Sequence, residues 1–210
     1  AAFFAIGGYT SAVLTTRPWF GAGQTGWSAL LARAGLLAER ADLYGEPIVT
    51  VTPWAAFGAA LVLAAAVAAL IGHPALRLRG HYLAMATLGF GLIVYRIVLG
   101  SDFTGSVDGI SGVPPWELGF GLILCGQKPH RVQNYYLAWT LAVLVLLGLL
   151  NIVQSRVGRG LRAIHDGELA AGAMGVNTGR LKLQAFVLSA VLAAAAGSFL
   201  THYNGGIGPS

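Results

Sequence analysis

Charge is what this sequence has least of. Of 210 residues only 10% are Asp, Glu, Lys or Arg, where a soluble domain carries roughly 25%. Hydrophobic residues make up 56% and the mean hydropathy is +0.69, so the composition excludes an ordinary water-soluble domain and points to an integral membrane protein. Cysteine is nearly absent, and the single Cys125 excludes an internal disulfide. The five histidines are scattered, with no Cys or acidic partner at ligand spacing, so no metal site is indicated. A GxxxxGK phosphate loop, a nucleophile elbow and paired carboxylates within an apolar run are also lacking. The expectation is a chain with no catalytic residue and no cofactor of its own. A net charge of +5 and a pI near 9.7 would suit nucleic acid, but the basic residues neither join aromatics nor form one long run. No nucleic-acid partner is expected. No signal peptide is visible, and the sequence opens on AAFFAIGGYT and stops at GGIGPS beside an apolar block, so a fragment truncated at both ends is expected.

Long apolar runs are what is there. Ala1 to Thr16 is short for a span of roughly 20 residues and reads as a partial N-terminal span. Four complete spans are expected at Ile48–Gly72, Tyr82–Leu99, Tyr135–Val153 and Leu183–Tyr203. Pro53 falls in the first turn of the first of these, where proline is tolerated. Arg96 sits within about a turn of the end of the second, where it either snorkels to the interface or lines a translocation path. Tyr135, Tyr136 and Trp139 stand where an aromatic belt would. The alanines around Ala190 and Ala193 to Gly197 permit close helix packing, since helices in lipid associate through small residues. The fold class is therefore all-α, a polytopic transmembrane bundle in one domain over residues 1–210.

Three polar connections punctuate it. Residues 17–47 form a loop with a possible interfacial helix through Leu30, Leu31, Ala34, Leu37 and Ala38. Residues 101–134 form a glycine-rich loop with an apolar patch near Phe120 to Cys125, and residues 156–182 form a basic stretch. Arg77 and Arg79 share one side with Arg156, Arg159, Arg162, Arg180 and Lys182. The other side holds Arg17, Arg33, Arg40, Lys128 and Arg131 offset by acids, so 73–81 and 156–182 are assigned to the cytoplasm.

Within residues 156–182, Asp166 is a candidate cap for a helix of about two turns beginning at Gly167, with Glu168 in its first turn. Gly175 suits a left-handed C-cap, and Asn177 or Thr178 can cap the next span. So short a helix is marginal in water and needs support. Leu169 and Met174 are its only large apolar groups, beside Ala170, Ala171, Gly172 and Ala173. From the residues alone, a solvated connector and a docking surface both remain open.

The stretch GRGLRAIHDGELAAGAMGVNTGRLKLQAFVLSA resembles the cytoplasmic loop of ABC importer permeases, with its Glu-Ala-Ala motif and following Gly at Glu168, Ala170, Ala171 and Gly175 and one leucine inserted. That variant, with FFAIGGYTSAVL, HYLAMATLGF and TGSVDGISGVP in the same order, is similar to the permeases of branched-chain amino acid importers. The resemblance implies that Glu168, Leu169, Ala170, Ala171, Met174 and Gly175 couple to separate ATPase subunits that use the ATP, with Glu168 as an electrostatic contact. It further implies a second homologous permease, an external substrate-binding protein, and a multi-pass place in the inner membrane of a bacterium. Thr87, Tyr95 and Ser189 are candidates for the substrate path. Thr104, Gly105, Asp108 and Gly109 are candidates for meeting the binding protein or lining an outer gate, against a plain turn region. Import of urea or short amides is the alternative within the class. A secondary carrier or channel would want ionisable groups inside the spans, and a structural scaffold would need no shaped cytoplasmic helix.

Overall fold

A computed structural model of the chain describes residues 1–17, 37–41, 47–76, 81–119 and 121–209. It is helical, with short strands collected at one end. The elements run α1 (Ala2–Thr16), β1 (Leu37–Ala41), β2 (Pro47–Val51), α2 (Pro53–Ala75), α3 (His81–Gly100), β3 (Ile110–Ser111), β4 (Trp116–Gly119), β5 (Leu122–Leu124), α4 (Arg131–Gln154), α5 (Arg156–Asp166), α6 (Glu168–Ala173), α7 (Thr178–Asn204) and β6 (Gly206–Ile207). Single 3₁₀ turns at Asp102–Thr104 and Lys128–His130 link α3 and α4 to the strands.

Among the described residues, three helical stretches are long and apolar enough to cross a membrane: Pro53–Ala75, Lys128–Gln154 and Thr178–Asn204. The apolar stretches Ala2–Thr16 and Met85–Gly100 are shorter. At 20 residues α3 is nonetheless about 30 Å long, the thickness of a bilayer core.

The expected span ends shift where local structure competes. Ile48 lies in β2, because β1 and β2 pair antiparallel through Arg40 and Ile48, and the helix waits for Pro53 at its first turn. Leu37 and Ala38 lie in β1, where an interfacial helix was expected to end; the rest of that helix lies outside the described residues. The polar loop 101–134 also carries more order than its composition suggests. β4 and β5 form a hairpin over the apolar patch, and β3 pairs with β6 beyond the end of α7.

The core is built from α1, α2 and α7. On α2 the buried positions are Ala56, Ala60, Ala64, Ala68 and Gly72, a stripe repeating every fourth residue, with Ala75 at the helix end. On α7 they are Ala190, Ala194, Gly197, Ser198, Thr201 and His202. Small residues let α1 and α7 approach until their backbones touch. A Cβ on Gly7 would stand 2.2 Å from the Ala194 carbonyl oxygen, and one on Gly197 2.0 Å from that of Phe4. Phe3 beside Phe186 and Ser11 beside His202 make α1 and α7 parallel, while Phe57 beside Phe199 and Gly72 beside Phe186 make α2 antiparallel to both.

The two ends of the bundle differ. At the ribbon end, Trp116 of the hairpin is buried between Trp54 and Phe57 of α2 and Phe199 of α7, with ring centroids 4.9–5.0 Å apart. At the opposite end lie the close of α2, the start of α3, and α5 and α6. Of α4 only Asn134 is buried; Leu144, Leu146, Leu147 and Leu150 are exposed.

Candidate functional site

The basic stretch folds as two consecutive helices at the end of the bundle opposite the strands. Ser155 ends α4 and caps α5, its hydroxyl accepting from the Val157 amide at 3.2 Å. The turn is so tight that a Cβ on Gly158 would lie 2.1 Å from the Val153 carbonyl oxygen. Arg162 donates back to the Val153 carbonyl at 2.7 Å and Arg159 to that of Gln154 at 3.3 Å, satisfying carbonyls that the end of α4 leaves open. The expectation of one short helix is thus corrected to two, the first running eleven residues with Val157, Leu161 and Ile164 along it.

The second helix, α6, spans Glu168–Ala173 and is shorter than expected. Asp166 is not its cap: it ends α5, and the extended Gly167 (φ −177°) is the joint between the two helices. Gly175 adopts φ +83°, as its position after the alanines predicts. Its amide donates to Gly172 at 3.0 Å and that of Val176 to Ala171 at 3.0 Å, the paired bonds of a Schellman cap. Asn177, rather than Thr178, caps α7, accepting from the Arg180 amide at 3.0 Å.

The geometry sorts the motif residues. Leu169 and Met174 are 83% and 85% exposed, and Ala170 is exposed beside them. Ala171 is buried against its own chain. The Glu168 carboxylate stands 2.7 Å from the ammonium of Lys182, in the second turn of α7. In the sequence Lys182 counts only toward the basic side of the chain. The signal was a lysine one helix later, and only the turn through Gly175 brings it within reach.

The path candidates are not brought together. Tyr95 borders a cavity of about 390 Å³ at the ribbon end, with Tyr9, Val94, Thr201, Asn204 and Ile207. Ser189 lies twelve residues before Thr201 on α7, about 18 Å along the axis, and its hydroxyl donates to the Phe186 carbonyl of its own helix. Thr87 is two turns before Tyr95 on α3. Arg96 is exposed one turn from the end of α3.

In the loop of residues 101–134 Thr104 donates to the Val98 and Ser101 carbonyls, closing α3, and Gly105 (φ +80°) caps the 3₁₀ turn. Gly109 (φ +71°) lies against Ile207, and Asp108 is exposed. A buried polar node was missed altogether. His202 Nε2 meets the Ser11 hydroxyl at 2.9 Å and Nδ1 the Pro114 carbonyl at 2.8 Å, joining α7, α1 and the loop.

Comparison with known proteins agrees with this architecture. The family model described as "Branched-chain amino acid transport system / permease component" matches residues 1–210. Two curated relatives are high-affinity branched-chain amino acid transport system permease proteins LivM. That of Escherichia coli (strain K12) is 35% identical and that of Salmonella typhimurium (strain LT2) 32%, each match covering 74% of this chain and 41% of the relative. The chain therefore spans about two fifths of the length of the curated relatives it matches. No solved structure matches it significantly. With a family match along its whole length, a helical multi-pass architecture and a capped helix between the last two spans, the chain belongs to the branched-chain amino acid transport system permease family.

Proposed function

We propose that this chain is part of the membrane-spanning subunit of an ATP-driven importer that carries leucine, isoleucine and valine across the cytoplasmic membrane of a bacterium. The family match supports the substrate class and the transport role. The observation that carries the coupling is the presentation of Leu169 and Met174, two large apolar side chains held outward on a capped helix where two spans end. Exposed apolar groups of that size on a polar connector suit burial in a partner's groove, and burying each is favourable by roughly 1.5–3 kcal/mol. The partner is a separate ATPase subunit, so ATP binding and hydrolysis lie outside this chain. A second homologous permease and an external binding protein complete the assembly. The excess of basic residues beside α5 and α6 supports a cytoplasmic place for that end, which leaves the ribbon end to face the binding protein. When the ATPase dimer closes, α6 is displaced and α7 turns against α1 and α2, exchanging inward-open and outward-open states.

The test uses full-length protein purified with its ATPase in mild detergent. Wild type is expected to retain the ATPase, and Leu169→Asp/Met174→Asp to lose it while remaining monodisperse. Reconstituted vesicles should accumulate labelled leucine only with ATP and the binding protein. Uptake that proceeds without ATP would establish a secondary carrier instead, and a ligand screen on the binding protein distinguishes branched-chain amino acids from urea or short amides.

A further inference from the structure

An acidic residue at the head of a docking helix invites the reading that it contacts the docked subunit. The structure supplies Glu168 with a partner from its own chain. Its Oε1 lies 2.7 Å from Lys182 Nζ, the two side chains being 43% and 29% exposed. We infer that Glu168 is a positioning residue that latches α6 to α7, so that a push on α6 turns α7 rather than being lost in the joints on either side. The inference rests on the importer reading above.

The argument is mechanical. α6 has six residues, too few to hold a helix by itself. It joins its sequence neighbours at two flexible points, the extended Gly167 before it and the left-handed Gly175 after it, and Ala171 is its one buried residue. Through its C-terminal cap it is tied to Val176, and Asn177 then starts α7. With the cap and the single buried Ala171, α6 could still swing about Gly175 when pushed. The Glu168–Lys182 pair adds a second tie, from the first turn of α6 to the second turn of α7. Two separated attachments to one rigid helix remove the swing. α7 in turn touches the backbone of α1 at Ala194 and Gly197, so its rotation reaches the core of the bundle.

Electrostatics suits this role better than a role in stability. Glu168 is favoured at the positive end of α6, and a partly exposed pair in high dielectric contributes little to folding. Losing the pair should leave the fold and the docking surface of Leu169 and Met174 intact. What it should change is the yield of transport for each ATP hydrolysed.

The experiment uses the full-length transporter with its ATPase and binding protein in proteoliposomes, reading ATPase copurification, ATP hydrolysis and leucine uptake. Glu168→Lys and Lys182→Glu are each expected to retain the ATPase and to lower leucine moved per ATP by about fivefold, the low end of typical coupling effects. The charge-swapped double variant Glu168→Lys/Lys182→Glu is expected to recover to within about twofold of wild type. Three outcomes overturn the inference: an unchanged ratio in either single variant, loss of the ATPase from Glu168→Lys with no recovery in the double variant, or single variants that keep the ATPase without recovery in the double. The second of these makes Glu168 a direct ATPase contact and leaves the importer reading standing. Wild type that retains no ATPase overturns both.

Discussion

His202 is buried at the end of α7, yet it has a partner for each ring nitrogen. The Pro114 carbonyl can only accept, so a ring with its hydrogen on Nδ1 donates there and leaves Nε2 to accept from Ser11. His202→Phe would strand a buried hydroxyl and a buried carbonyl. A loss of about 1–3 kcal/mol is expected, read as a lower thermal midpoint in detergent and faster proteolysis between Asp102 and Pro114. Gly197 poses the opposite demand, for empty space. Gly197→Ala puts a methyl into the Phe4 carbonyl, and because backbone cannot swing aside as a side chain does, about 1–3 kcal/mol of destabilisation is expected on the same thermal assay. Ser11 and His202 are 191 residues apart, so no reading of sequence spacing could pair them. The small residues of α7, in contrast, announce close packing from composition alone.

At the scale of elements, the spans were legible because apolar length is a property of the chain itself. Their ends were less so. Ile48 to Val51 is as apolar as a helix start, but it pairs with β1, and pairing is a tertiary event. α5 was missed because Gly158 and Gly160 weigh against a helix by propensity. Here both glycines serve contacts: Gly158 passes the end of α4, and a Cβ on Gly160 would stand 2.7 Å from Leu181 of α7. The Ser155 cap and the Val157, Leu161, Ile164 spacing were the signals available. The C-cap of α6 was legible, since glycine after a helical run is the residue that enters the left-handed region freely. Gly175→Val should cost about 1–2 kcal/mol at that residue, and faster amide hydrogen exchange over Glu168–Ala173 is the readout.

At the scale of the molecule, the basic stretch that forms α5 and α6 and the ribbons lie at opposite ends of the bundle. This arrangement predicts opposite labelling of two engineered cysteines in a Cys125→Ala background. Val107→Cys, at a site 72% exposed, should react with a membrane-impermeant maleimide in right-side-out vesicles; Ala173→Cys should react only in inverted ones. Labelling of both from one side would refute the topology. The sequence by itself determined the membrane class, the number and order of apolar segments, the small-residue packing of α7 and the helix stop at Gly175, because hydropathy, residue size and φ preference are local properties. Only the tertiary structure decided that α1 and α7 touch backbone to backbone, that Trp116 and His202 anchor the loop of residues 101–134, and that Glu168 faces Lys182. Those contacts depend on where distant segments meet in space, and a residue's chemistry states what it can bind without stating what will be beside it.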